Sequence, residues 1–312
     1  AIYDGLLFYD YTRPYARIYE WDFALLRACM PGLRRLRLKV GKCDFPRRHM
    51  LDIFWGFPAN CSKLQSIEFV EMPFTVKHWV YTFDELARVE DLRGLRLESP
   101  LQDFDAKDLG RLVGTLTRLE RLHLSQAGLR NAMATFVGAL NPDTQNFVDA
   151  LENNMTDFVS TMLNMPAPQP PGQALTALTS LSLKFDLSDP DMPYLCVFLA
   201  LLPSLTQLSL CGVKIPRPYI SAIGAHLRCM ATLTSLDLSF ISFDSTWISV
   251  VLELGFLGQC TQLQRLDLRN SRITSPADVA ALVETLEPCT RLRELDLTGN
   301  LQTANRSEQM VR

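Results

Sequence analysis

CTQLQRLDLRNSRITSPADVAALVETLEPCTRLRELDLTGN, residues 260–300, holds one complete structural unit and the opening of the next. Leucines at 263, 266 and 268 return at 292, 295 and 297, a step of 29 residues. In an L-x-L triplet the two leucines fall on one side of an extended strand and the residue between them on the other. A strand and a tight turn use about ten residues, so the remainder has room for a helix of about three turns. Residues 276–286 supply it, with Val279, Leu282, Val283 and Leu286 on one stripe, Pro276 at the first helical position and Ser275 as N-cap.

The same L-x-x-L-x-L pattern, with Ile or Phe admitted at the later positions, extends back through most of the chain. Its first leucines are Leu33, Leu64, Leu92, Leu119, Leu178, Leu205, Leu233, Leu263 and Leu292. The steps are 31, 28, 27, 59, 27, 28, 30 and 29 residues. All but one lie near a single period, and the exception is close to two. Residues 106–116 repeat the helical stripe with Leu109, Leu112, Val113 and Leu116. The expected architecture is an α/β solenoid in which short parallel strands line a concave sheet and helices cover the convex side.

These residues resemble the ribonuclease-inhibitor-like and cysteine-containing leucine-rich repeats, the latter familiar from F-box substrate adaptors. The resemblance covers about residues 33–301. It implies a leucine-rich-repeat horseshoe and a binding task, with a substrate-recognition subunit of a ubiquitin ligase as one form of it. In the family an Asn or Cys usually stands three residues after the last strand leucine and completes a backbone ladder. Here only Asn300 does so, with Ala127, Val213, Ile241 and Ser271 at the equivalent places.

Residues 1–32 lack the pattern but hold Tyr3, Tyr9, Tyr11, Tyr15 and Tyr19 with Phe8, Trp21 and Phe23, and read as a cap or decayed repeat; an aromatic partner surface is the alternative. Repeats then occupy 33–140 and 174–301. Between them lies an insertion at 141–173, where a helix is expected from Pro142 to Met165 with Phe147, Leu151, Met155, Phe158 and Met162 on its apolar side. That stripe either packs as an oversized repeat helix or docks a partner helix. A polyproline-like connector, residues 166–172, ends it. Residues 302–312 form a polar tail with no closing helix, so further repeats or a partner are expected to cover that edge. The first residue is Ala1, consistent with a fragment or a processed chain, which leaves organelle import open.

Composition narrows the function. The chain has 312 residues, 47% hydrophobic, enough for a core without metals or disulfides. A net charge of −3 gives no global basic field and argues against a dedicated nucleic-acid binder. The longest strongly apolar run, residues 195–202, is too short to span a bilayer. Of eight cysteines, Cys29, Cys61, Cys229, Cys260 and Cys289 fall three or four residues before a strand leucine. That phase predicts reduced structural thiols between helix and strand, hence an intracellular, cytoplasmic-type compartment. The sequons at Asn60, Asn154 and Asn305 would matter only in a secreted protein. No C-x-x-C occurs and His49, His78, His123 and His226 are scattered, so no zinc site is expected. Phosphate-binding glycine motifs and nucleophile elbows are also missing, and neither enzymatic activity nor a cofactor is expected.

A binding role then falls on the outward strand positions. Between the second and third leucines the successive residues are Arg37, Glu68, Arg96, His123, Ser182, Ser209, Asp237, Asp267 and Asp296, with Arg34, Arg35, Lys39, Arg93 and Arg121 reinforcing the early basic end. The expectation is a non-catalytic protein-interaction scaffold, such as a structural subunit of a larger assembly. Arg35, Arg37, Arg96, Arg121 and His123 would contact an acidic segment of a protein partner, and Asp237, Asp267 and Asp296 would be partner-binding residues at the acidic end of the wall.

Overall fold

A computed structural model describes residues 6–8, 32–39, 61, 63–72, 76–98, 106–125, 129, 132–140, 142–153, 175–185, 187, 189–216, 219, 222–224, 226–227, 230, 231–241, 255–273 and 276–300. The chain divides into two compact units, one of 1–145 with 172–178 and one of 146–171 with 179–312.

In the first unit five parallel strands pair in chain order: β1 (Leu6–Phe8), β2 (Arg35–Lys39), β3 (Ser66–Val70), β4 (Gly94–Glu98) and β5 (Arg121–Ser125). The second unit repeats the scheme with β6 (Ser180–Lys184), β7 (Gln207–Ser209), β8 (Ser235–Asp237), β9 (Arg265–Asp267) and β10 (Glu294–Asp296). Each L-x-x-L-x-L segment therefore yields one strand. β1 is a strand the pattern does not reach; it pairs Leu6 with Leu36 and Phe8 with Leu38.

The strand leucines stack repeat upon repeat, and all of the pattern residues from Leu33 to Leu268 are buried. Each is worth about 1.5–3 kcal/mol of removed apolar surface, which is why the register is held so regularly. Backbone bonds follow the same period. The Arg34 carbonyl accepts from Gln65 and Ser66, the Gln65 carbonyl from Arg93 and Gly94, and the Arg93 carbonyl from Glu120 and Arg121. In the second unit Thr179, Thr206, Thr234 and Gln264 each accept two successive N–H groups in the same way.

The helices given bounds among the described residues are α1 (Val76–Leu86), α2 (Ala106–Thr115), α3 (Met133–Gly138), α4 (Pro142–Asn153), α5 (Met192–Ala200), α6 (Phe256–Gln259) and α7 (Pro276–Leu286). In α1, Trp79 meets Phe69 of β3 edge to face at 5.5 Å and seats the helix on the sheet. The predicted stripe of α2 is buried, and its Gly110 and Gly114 let α3 approach: a Cβ at either place would collide with the carbonyl oxygen of Phe136 or Leu140. The apolar run at 195–202 belongs mostly to α5, whose residues 192–199 are all buried.

One expectation needs correction. In α7, Leu282 and Leu286 are buried, but Val283 is 60% exposed and lies off the covered stripe. Its neighbouring strand carries Leu295 at 38% exposure, because among the described residues no further strand stacks on β10. In the doubled step no strand lies between β5 and β6 among the described residues; α3 and α4 stand there instead. The inserted helix starts at Pro142 as the sequence implies, is described to Asn153, and buries Thr144 and Val148. Its expected course to Met165 and the proline-rich connector lie outside the described residues. So does the Ser275 cap of α7.

The missing ladder asparagines have a direct replacement in one repeat. Asn300 donates from Nδ2 to the Leu268 carbonyl at 2.7 Å and accepts from the Ile273 N–H at 3.1 Å. One repeat earlier Ser271 Oγ donates to the Leu238 carbonyl at 3.0 Å, the equivalent bond with a shorter side chain. Val213 and Ile241 at the same place are buried and supply apolar packing instead.

Candidate partner-binding face

Inward leucines leave alternate strand residues on the opposite side of each sheet. In the first unit these form two rows by register. Arg35, Ser66, Gly94 and Arg121 lie across β2 to β5, followed two residues on by Arg37, Glu68, Arg96 and His123. The second row is charge-matched within the chain. Arg37 Nε stands 3.5 Å from Glu68, and Arg96 grips Glu98 through Nε at 3.0 Å and Nη2 at 2.7 Å. Arg93 pairs with Glu120 at 3.0 Å. With these groups about a third or more exposed, each pair contributes only about 0–1 kcal/mol.

The first row, with Arg34 just before it in the chain, is different. Arg34, Arg35 and Arg121 are exposed, and among the described residues none of them forms an ion pair. Six arginines, at 34, 35, 37, 93, 96 and 121, thus face three glutamates, at 68, 98 and 120. The surplus is positive and sits around Ser66 and Gly94. Arg121 Nη2 lies 3.5 Å from the point where a Gly94 Cβ would be, so the guanidinium crosses the bare backbone of the next strand. Lys39 falls in β2, but its side chain is outside the described residues.

In the second unit the aspartates do something else. Asp237 accepts from the Ser239 N–H at 3.0 Å, from Ser239 Oγ at 2.6 Å and from Ser209 Oγ at 2.8 Å. Asp267, 3% exposed, accepts from the Arg269 N–H at 3.0 Å and from its guanidinium at 2.7–3.0 Å. Asp296 accepts from the Thr298 N–H at 2.9 Å. Its carboxyl is held below the ordinary range chiefly by the Thr298 hydroxyl and N–H, with Arg269 and Arg265 assisting. Each aspartate caps the N–H two residues on, where the chain leaves its strand.

Phe240 is a surface feature that residue patterning does not reveal. It is 54% exposed and left-handed, with φ 55°, in the turn where three other repeats of the second unit place Gly212, Asn270 and Gly299. Alignment of the repeats by their third leucine would have singled it out, since a bulky residue disfavours that backbone. The second set of sequence candidates, Phe147, Leu151, Met155, Phe158 and Met162, has side chains outside the described residues.

The thiols follow the predicted phase. Cys61, Cys260 and Cys289 are buried and free, and their carbonyls accept the N–H of Leu64, Leu263 and Leu292. Cys289 Sγ donates to the Leu257 carbonyl at 3.1 Å, tying one repeat to the one before. Val89, Leu116, Leu202 and Met230 occupy the same position elsewhere, so the site requires an apolar residue rather than a small one. Burial pushes Cys61, Cys196 and Cys260 up to about 12. Among the described residues no group of three or more His, Cys, Asp or Glu is placed to hold a metal, and no helix is long and apolar enough to cross a membrane.

A leucine pattern with a period near 28, one parallel strand per repeat and helices returning the chain define an α/β leucine-rich-repeat protein. Among solved structures it is similar to an internalin from Listeria monocytogenes, at 17% identity and a TM-score of 0.42 over 89% of this chain. The match takes in 64% of that chain, so the present sequence spans less than two thirds of its length. No protein-family model matches the sequence, and no curated protein does.

Proposed function

We propose that the protein is a non-catalytic protein-interaction scaffold, a subunit of a larger assembly, that engages an acidic segment of its partner through the sheet face of the first unit. The observation that carries this reading is the excess of arginine there, with Arg34, Arg35 and Arg121 outside any ion pair among the described residues. Arg37, Arg96 and His123 complete the contact, their row keyed to the partner by alternating charge. Asp237, Asp267 and Asp296 hold strand ends in this reading and do not meet the partner. The buried thiols Cys61, Cys260 and Cys289, each three residues before a strand leucine, favour the cysteine-containing type of repeat in an intracellular setting, where a ubiquitin-ligase adaptor is a second form of the same binding role.

Affinity purification with crosslinking mass spectrometry identifies the partner and the residues it touches. Crosslinks are expected on acidic stretches of the partner and on β2 to β5. The Arg37→Glu, Arg96→Glu double variant should then slow association and flatten its salt dependence. Wild-type rates in a folded variant would remove the face from consideration. A stably bound cullin-adaptor subunit would select the ligase form.

A further inference from the structure

Arg35, Ser66, Gly94 and Arg121 occupy one row on four successive strands, the two arginines at its ends and the two smallest side chains between them. Strands lie about 4.8 Å apart, so the floor between the arginines is about two strands wide. Arg121 already spans one strand spacing to reach Gly94, and the same reach from the other side would carry Arg35 over Ser66. Two guanidinium forks can therefore meet above a hollow that contains a hydroxyl and a bare backbone. Among the described residues neither the Ser66 hydroxyl nor either guanidinium has a hydrogen-bonding side-chain partner, whereas Arg37, Arg93 and Arg96 each have a glutamate.

We infer that this hollow is a receptor for one phosphorylated serine or threonine in an extended segment of the protein partner. The inference deepens the proposed function and rests on it. Charge and shape select the phosphate over a carboxylate. A pair of unmatched arginines presents two positive charges at one place, and a phosphoester carries about 1.5 to 2 negative charges at pH 7 where an aspartate or glutamate carries one. Its three terminal oxygens accept from two planar forks and a hydroxyl together, a donor set a single carboxylate cannot saturate. At Gly94 the Ser66 hydroxyl and the Arg121 guanidinium close over bare backbone, which sets the two donors side by side for the group. Arg37, Arg96 and their glutamates, one row on, would read the flanking residues.

The probe is a degenerate peptide library with phosphoserine fixed at the centre, compared with matched libraries carrying Ser or Glu there, on the full chain at constant salt. Retention of the phosphoserine library should exceed that of the other two by about tenfold or more, as expected for charge-assisted bonds. Arg35→Gln with Arg121→Gln should abolish the preference. Gly94→Ala is a second route: its Cβ would lie 2.8 Å from Ser66 Oγ, a hydroxyl that can rotate away, so the fold should survive while the hollow fills. Arg265→Gln, on β9 of the second unit, should change nothing. Equal retention of the Glu and phosphoserine libraries, both lost in the double variant, would overturn the phosphate inference and leave the acidic-segment reading standing. A phosphoserine preference that survives both variants would overturn the site. Retention of none of the libraries would overturn both, as would displacement of the phosphopeptides by a single-stranded oligonucleotide at lower concentration.

Discussion

Arg96 and Asp237 stand at the same place in their repeats, between the second and third leucines, one in each unit, yet their side chains serve different ends. The aspartate is short and turns back onto the N–H two residues on, where it stabilises the strand exit. The arginine has only donors and cannot accept that N–H, so it lies along the surface to Glu98, where it is accessible to a partner. A column of charge read from sequence therefore mixes two kinds of residue. Whether the side chain can accept the N–H two residues on decides which kind each is.

The widest effect expected concerns a baseline both units share. Cys61 in one and Cys260 in the other are pushed up to about 12 by burial, which lowers their thiolate fraction at pH 8 by about a thousandfold. Native alkylation followed by peptide mapping should label Cys211, which is half-exposed, well before Cys61, Cys196, Cys260 or Cys289. All eight cysteines should react after denaturation without reductant, and a protected pair would break the reduced-thiol account.

Next in size is the aspartate–arginine contrast itself. Asp267→Ala strands the Arg269 N–H in a part-buried turn and removes the partner of its guanidinium, and should lower unfolding stability by about 2 kcal/mol. Arg96→Ala should cost no more than about 1 kcal/mol. Urea denaturation of the two variants distinguishes them, and equal losses would end the contrast. Phe240→Asn should raise stability by about 0.5–1 kcal/mol, because Asn tolerates the left-handed turn that Phe occupies under strain. The smallest effect is on acid stability. Asp296 titrates below the ordinary aspartate range in the folded chain, so its contribution is present above that range and lost as pH falls through the lowered value. Carboxyl NMR titration should show the depressed midpoint, and Thr298→Ala should move it back toward the ordinary value.

Fold was legible in the sequence because leucines at fixed spacing have one economical arrangement, and the strands fall on the triplets wherever these occur. β1 escaped because Leu6-Leu7-Phe8 has no upstream leucine at the expected distance. α3 escaped because Met133, Phe136 and Val137 make too short a stripe to stand out. Val283 was misplaced since the period gives the stripe but not how far a neighbouring repeat covers it. The candidate face was legible as a set of outward positions only. That Arg37 meets Glu68 while Arg35 and Arg121 flank Ser66 and Gly94 depends on register between strands 27 to 31 residues apart, which no local pattern encodes.

The central claim is that the first unit's sheet face, and not the second's, meets the partner. Association rates of the crosslink-identified partner should be measured over a range of salt for two folded variants. One is Arg35→Glu with Arg121→Glu on the first unit, the other Arg265→Glu with Arg293→Glu on the second. The account predicts that the first pair slows association by about tenfold or more at low salt and removes most of its salt dependence, while the second pair stays near wild type. Equal slowing by both pairs, or by neither, would contradict it.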